Sequence, residues 1–165
     1  MIERKLLTVE WDNPITLEEA LENNGELDYG LYQIYARHIV FGPGSLVYVG
    51  KAEQQTFGTR FSQHEEWLRE ESDVQIRLGR PQTIDGRVFK GAEGWTGADE
   101  DEWCRLTSDA EALTIYWHSP PYNSACIWDY NGQPLWVQNT GDRGSLLPEY
   151  SSHWPSTTGP VRPKE

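Results

Sequence analysis

Residues 30–50 read Gly30-Leu-Tyr-Gln-Ile-Tyr-Ala-Arg-His-Ile-Val-Phe-Gly-Pro-Gly-Ser-Leu-Val-Tyr-Val-Gly50, and this stretch decides the fold. Leu31, Ile34 and Tyr35 form one apolar run, and Leu46 to Val49 form a second. Both are rich in β-branched and aromatic residues, and Gly42-Pro43-Gly44 lies between them. The pattern predicts a hairpin of two buried strands with a longer connection.

Downstream, Phe57, Phe61, His64, Trp67 and Leu68 recur at spacings of three and four, which predicts a helix over 56–71. Val74, Ile76 and Leu78 alternate with polar residues, as in a strand. Residues 81–103 are Gly-rich and acidic and read as an excursion over the surface. A helix is expected from Ser108 to Trp117, stopped by Pro120-Pro121. Cys126 to Tyr130 and Pro134 to Val137 flank Asn131-Gly132, a hairpin signature. Upstream, Lys5 to Trp11 suits a strand, and Thr16-Leu-Glu-Glu19 is a capping box opening a short helix.

The order predicts an α+β domain with a small mixed, largely antiparallel central sheet flanked by helices. The chain divides into an appendage over 1–27, a core over 28–124, a C-terminal hairpin extension over 125–149 and a frayed tail over 150–165. A length of 165 residues suits one domain. Hydrophobic residues make up only 37%, but 8 Trp, 8 Tyr and 4 Phe supply the volume of a core.

Several chemistries are excluded. The chain has 14 basic and 26 acidic residues, net −12, so it carries no general basic coat for nucleic acid or anionic lipid. No apolar run is long enough to span a bilayer. Cys104 and Cys126 match no zinc or redox spacing, and two free thiols point to a reducing cytoplasm. His64-Glu-Glu-Trp-Leu68 lacks the second His of a zinc protease. Asp99 to Glu102 lacks the spacing of a calcium loop.

One constellation remains. Gly30-Leu31-Tyr32 lies on the first central strand and Tyr48-Val49-Gly50 on the second. Arg60 and His64 follow on a helix, then Glu111, then Pro120-Pro121-Tyr122-Asn123. In order and in context this resembles the GIY-YIG nuclease family over about residues 28–124. The substitutions within the two signature triplets keep an apolar residue between the polar ones. The departures are the long acidic insertion before Glu111 and the additions at both ends.

The resemblance implies a GIY-YIG-like fold and a metal-dependent endonuclease acting on DNA, with RNA as an alternative substrate. Glu111 would hold one Mg²⁺, replaceable by Mn²⁺, and the ion would stabilise the leaving oxygen. Arg60 would set a permanent positive fork against the scissile phosphate. Tyr32 would take a proton from the attacking water, and Tyr48 would orient the water or phosphate. His64 would share the proton transfer or bind phosphate. Asn123 would pin the local backbone, and Lys51 would touch phosphate.

The same residues also have plain structural roles open to them. Ser108-Asp-Ala-Glu111 is itself a capping box, with Glu111 at its third position. Asn123 suits a turn. Trp95 and Trp103 suit either base stacking or packing. The acidity favours a second class of function, a non-cutting binding or protein-interaction module of the same fold. Residues 28–123 carry 9 basic and 15 acidic residues, net −6, so a nuclease would have to gather its cations. Arg60, Arg69, Arg77 and Arg80, with Arg87 and Lys90, are the candidates for a basic strip. Weak, salt-sensitive binding is expected of it, helped by dimerisation or a protein partner.

Overall fold

The computed structural model describes residues 4–83 and 94–153. Strand β1 spans Lys5–Trp11, helix α1 Leu17–Leu21, strand β2 Gly30–His38 and strand β3 Gly42–Ala52. Helix α2 spans Phe57–Glu70, strand β4 Gln75–Thr83 and helix α3 Gly97–His118. Strands β5, Leu135–Gly141, and β6, Glu149–Ser151, close the order. One mixed sheet of six strands runs β3-β2-β4-β1-β5-β6, so the domain is α+β.

Among the described residues β1 and β5 form the parallel pair, and the other pairs are antiparallel. Successive strand residues face opposite sides, and this divides the core in two. Tyr32, Ile34, Ile76 and Leu78 pack under α1 and α2 with Phe57, Phe61 and Leu68. Leu31, Leu7, Val9 and Val137 pack under α3 with Leu106, Ala110 and Leu113.

Local chemistry explains the better-anticipated elements. Thr16 and Glu19 form the reciprocal cap of α1. Thr56 caps α2, its hydroxyl accepting from the Thr59 amide. Gly30 lies at φ +148°, and a Cβ there would sit 2.1 Å from the Gly79 carbonyl oxygen, so β2 and β4 approach only because that side chain is missing.

The structure corrects four expectations. Gly42-Pro43-Gly44 is not the connection between the central strands; the turn occupies 39–41, and β3 already begins at Gly42. The N-terminal segment is no appendage, because β1 lies inside the sheet between β4 and β5. Cys126 to Tyr130 forms no strand, and Asn131-Gly132 turns no hairpin. Instead β5 pairs with β1 and then with β6, whose Tyr150 is 2% exposed, so order continues past residue 150. The rest of the expected tail, 154–165, lies outside the described residues.

The fourth correction concerns α3, a single helix of 22 residues. Its cap is Thr96, paired reciprocally with Asp99, so the acidic run expected to cross the surface is its first turns. Acids there favour the helix through its dipole. Trp103 is buried, and its indole N–H donates to the Pro81 carbonyl at 3.1 Å. Ser119, left-handed at φ 44°, closes the helix before Pro120. Cys104 and Cys126 form no disulfide, and each is half-buried. No described helix is long and apolar enough to cross a membrane.

Candidate active site

Tyr32 projects from β2 into the layer beneath α2 and is wholly buried. Its ring stacks on Tyr48 of β3, with centroids 6.1 Å apart, and meets Phe61 edge-on at 4.8 Å. Gly50 leaves room for it, since a Cβ there would lie 2.4 Å from the Tyr32 hydroxyl. The two glycines flanking the paired tyrosines therefore have separate steric reasons, one against backbone and one against Tyr32.

Arg60 of α2 lies beside that hydroxyl. The Tyr32 hydroxyl and the Arg60 Nε are both buried, and neither finds a well-aligned hydrogen-bond partner within the protein. Burial pushes the phenol of Tyr32 far above its ordinary value, and Tyr48 adds to this, while the Arg60 charge works against it. Burial works to lower the pKa of Arg60, but Tyr32, Tyr48 and Glu111 overcome it, so the guanidinium stays charged. Its Nη1 donates to Gln63 Oε1 at 3.0 Å.

His64 stands one turn further on, edge-on to Tyr48 at 6.0 Å and to Trp67 at 5.9 Å. Burial, then the Arg60 charge, lowers its pKa, so the imidazole is neutral at pH 7. Its Nε2 is buried without a partner.

Glu111 comes from the interior of α3, not from a helix cap. With Lys51, Glu53, Gln54, Gln55 and Arg60 it lines an open cavity of about 450 Å³. Burial raises its pKa to about 7; Lys51 and Arg60 oppose the shift and Glu53 adds to it. The folded chain thus binds an extra proton between pH 4.5 and about 7, and stability falls as pH rises across that window. In metal-free buffer at pH 8, Glu111→Gln is expected to be more stable than the wild type by about 2–3 kcal/mol. The gain should vanish near pH 4.5. Urea titrations at the two pH values check this, and equal midpoints at pH 8 would refute it.

Asn123 pins rather than reacts. Its Oδ1 accepts from the Val49 amide and its Nδ2 donates to the Val49 carbonyl, both at 2.9 Å. The Tyr122 amide also donates to the Val47 carbonyl. The segment after α3 thereby holds the free edge of β3 on both sides of Tyr48.

The expected basic strip is not assembled. Arg69 pairs with Glu65 at 2.7 Å and Glu18 at 3.2 Å. Arg77 pairs with Asp142 at 3.3 Å and lies over the Tyr35 ring. Arg80 pairs with Asp12 and with Asp28, and lies over Phe57. None of the three lines the cavity. Apart from Glu65, their partners lie 51 to 68 residues away in the chain, which is why local spacing conceals the pairing. Arg87 and Lys90 lie outside the described residues. Lys51 does line the cavity, but it is bound to carboxylates there.

Two further side chains stand at the site, Glu53, which belongs to no motif, and Ser108, which the sequence offers as a helix cap. Glu53 and Ser108 are linked, the Ser108 hydroxyl donating to Glu53 Oε2 at 2.6 Å. The one sequence signal for Glu53 is its position two residues after Lys51, just past the end of β3. Of the two candidate stacking residues, Trp103 is core, and the Trp95 indole N–H donates to Glu100 Oε2. Comparison of the chain with protein-family models, with characterised proteins and with solved structures finds no match.

Proposed function

We propose that this chain is a divalent-metal-dependent endonuclease of the GIY-YIG type, hydrolysing phosphodiester bonds in DNA. One observation carries the proposal. Tyr32, Tyr48, Arg60 and Glu111 come from four separate elements and fall within electrostatic reach of one another, with Arg60 and Glu111 on the wall of one cavity. A chance match of short motifs does not require that convergence. The antiparallel unit β3-β2-β4, with both tyrosine triplets on its paired strands, is the sheet such a site needs.

The donor set suits Mg²⁺, which takes one or two carboxylates and keeps several waters. Glu111 is a carboxylate on the wall of a roomy cavity, with a protonation state sensitive to a nearby cation. When bound, the ion would supply Lewis-acid stabilisation of the leaving oxygen. Arg60, charged and on the cavity wall, would bind the scissile phosphate. Tyr32 remains a phenol at ordinary pH, so it is not a preformed base. It can accept the proton of the attacking water only as its own proton moves on. His64, neutral and stacked edge-on against Tyr48, is the imidazole that would take it, through Tyr48 or water rather than by direct contact with Tyr32. Asn123 acts at a distance from the chemistry by fixing the strand that carries Tyr48. Two cysteines outside any disulfide suit action in a reducing compartment.

A second reading is a non-cutting binding module. The ion pairs of Arg69, Arg77, Arg80 and Lys51 favour it, because they leave few free cations for phosphate. The position of Glu111 weighs against it, since a helix-capping role would have explained that residue without any metal.

Cleavage of supercoiled plasmid decides between them. The wild type is expected to nick or linearise plasmid with Mg²⁺ or Mn²⁺ and to stop in EDTA. Glu111→Ala should be inactive with its fold intact. A well-folded wild type that cuts neither DNA nor RNA with either ion would leave the binding module.

A further inference from the structure

We propose that Glu53 is the second carboxylate of the divalent-ion site, and that Lys51 occupies the site as a displaceable internal cation until the ion arrives. The proposal deepens the nuclease reading and rests on it for the identity of the ion. Lys51 Nζ lies 3.3 Å from Glu53 Oε1 and 3.7 Å from Glu111 Oε2. It also donates to the Ser108 hydroxyl, which in turn donates to Glu53. Carboxylates from the end of β3 and from α3 thus converge on one positive atom. Both are largely shielded, with side chains 18% and 20% exposed.

The oxygen chemistry fits a hard cation better than it fits an ammonium alone. Two carboxylates face an open cavity with room for several waters, and the Ser108 hydroxyl lies against one of them. Among the described residues no group of three or more His, Cys, Asp or Glu converges as a metal cage, so water must complete the coordination. A separate observation points to a missing ligand. On the inner side of Arg60, its buried Nε and the wholly buried Tyr32 hydroxyl lie within reach of each other, yet neither makes a well-aligned hydrogen bond among the described residues. Buried polar atoms left unpaired are costly, and they persist where a ligand completes them.

An ammonium and a divalent ion compete for the same oxygens. Loading the site therefore expels Lys51 Nζ from between the two carboxylates. Lys51 remains on the cavity wall near Arg60, free to meet a phosphate. The ion in this way both completes the site and releases a substrate-binding cation. This also explains how an acidic protein presents a basic group only when it is ready to act.

The test is Mn²⁺ binding by the full chain, followed by electron paramagnetic resonance of the free ion. Glu53→Gln is expected to weaken binding by about tenfold or more. Lys51→Met, which removes the competitor but keeps the stem, should tighten it by about fivefold. Circular dichroism verifies that each variant is folded. Wild-type affinity in folded Glu53→Gln would overturn the role of Glu53. Unchanged or weaker binding in Lys51→Met would overturn the competition, and that arm stands even if Glu53→Gln does not fold. Plasmid cleavage on the same samples reads the nuclease proposal separately. An ion site with these responses but no cleavage would sink the nuclease alone, and cleavage with unchanged Mn²⁺ affinities would sink this proposal alone.

Discussion

Arg60→Ala is expected to lower the plasmid cleavage rate by about 10²–10³-fold while leaving the protein folded. The guanidinium borders the cavity, remains charged, and has one buried nitrogen that no protein group satisfies. On the nuclease proposal, such a donor would meet charge that appears during the reaction, where an electrostatic stabiliser has its largest effect. Stability should change little, because the substitution removes a partly buried charge whose aligned hydrogen bond goes to a neutral side chain, Gln63. Arg60→Lys keeps the charge but loses the planar fork, so it should recover only part of the rate. Arg69→Ala is the control on the same helix. Its carboxylate partners are exposed, and it should stay within about twofold of the wild type. If Arg60→Ala cuts within threefold of the wild type, the phosphate is bound elsewhere and the assignment of Arg60 is wrong.

The elements legible in the sequence are those whose signals are local. The capping box at Thr16, the helical stripe of Phe57, Phe61 and Leu68, and the alternation at Ile76 and Leu78 each lie within one element. The strand β5 is different, because its pairing with β1 joins residues 130 positions apart, as in Lys5 with Leu135. Nothing near Leu135 announces that partner, whereas Asn131-Gly132 announces a turn that tertiary contacts override. Gly132 instead packs against the Tyr130 ring and Asp109.

The site divides the same way. Tyr32, Tyr48, Arg60 and Glu111 are tied to ordered motifs, and the fold brings them together. The basic strip fails because a cation's availability depends on which acids the fold carries to it. Asp12 reaches Arg80 from the end of β1, and Asp142 reaches Arg77 from beyond β5. Glu53 belongs to no motif, and only its distance to Lys51 marks it.

Trp103→Ala is expected to destabilise the domain by about 3–5 kcal/mol. The reason begins with where α3 starts. Two capping boxes compete in the sequence, Thr96 with Asp99 and Ser108 with Glu111, and the structure uses the first. That choice adds three helical turns and places Trp103 and Leu106 on the sheet. The indole is 1% exposed, so its loss leaves a large cavity. It also strips the Pro81 carbonyl of its donor. Against a total stability of about 5–15 kcal/mol this is a major loss. Urea unfolding should show a lowered midpoint at unchanged slope. Trp128, 88% exposed, provides the contrast, and Trp128→Ala should shift stability by less than about 0.5 kcal/mol. Thr96→Ala should cost about 1 kcal/mol as the loss of a true cap. An excursion over the surface would give values near zero for both Trp103 and Thr96. Because Glu111 lies two turns beyond Trp103 on the same helix, its position at the cavity depends on this docking. Mn²⁺ affinity and stability should therefore fall together in Trp103→Ala, whereas in Glu53→Gln only the affinity should fall.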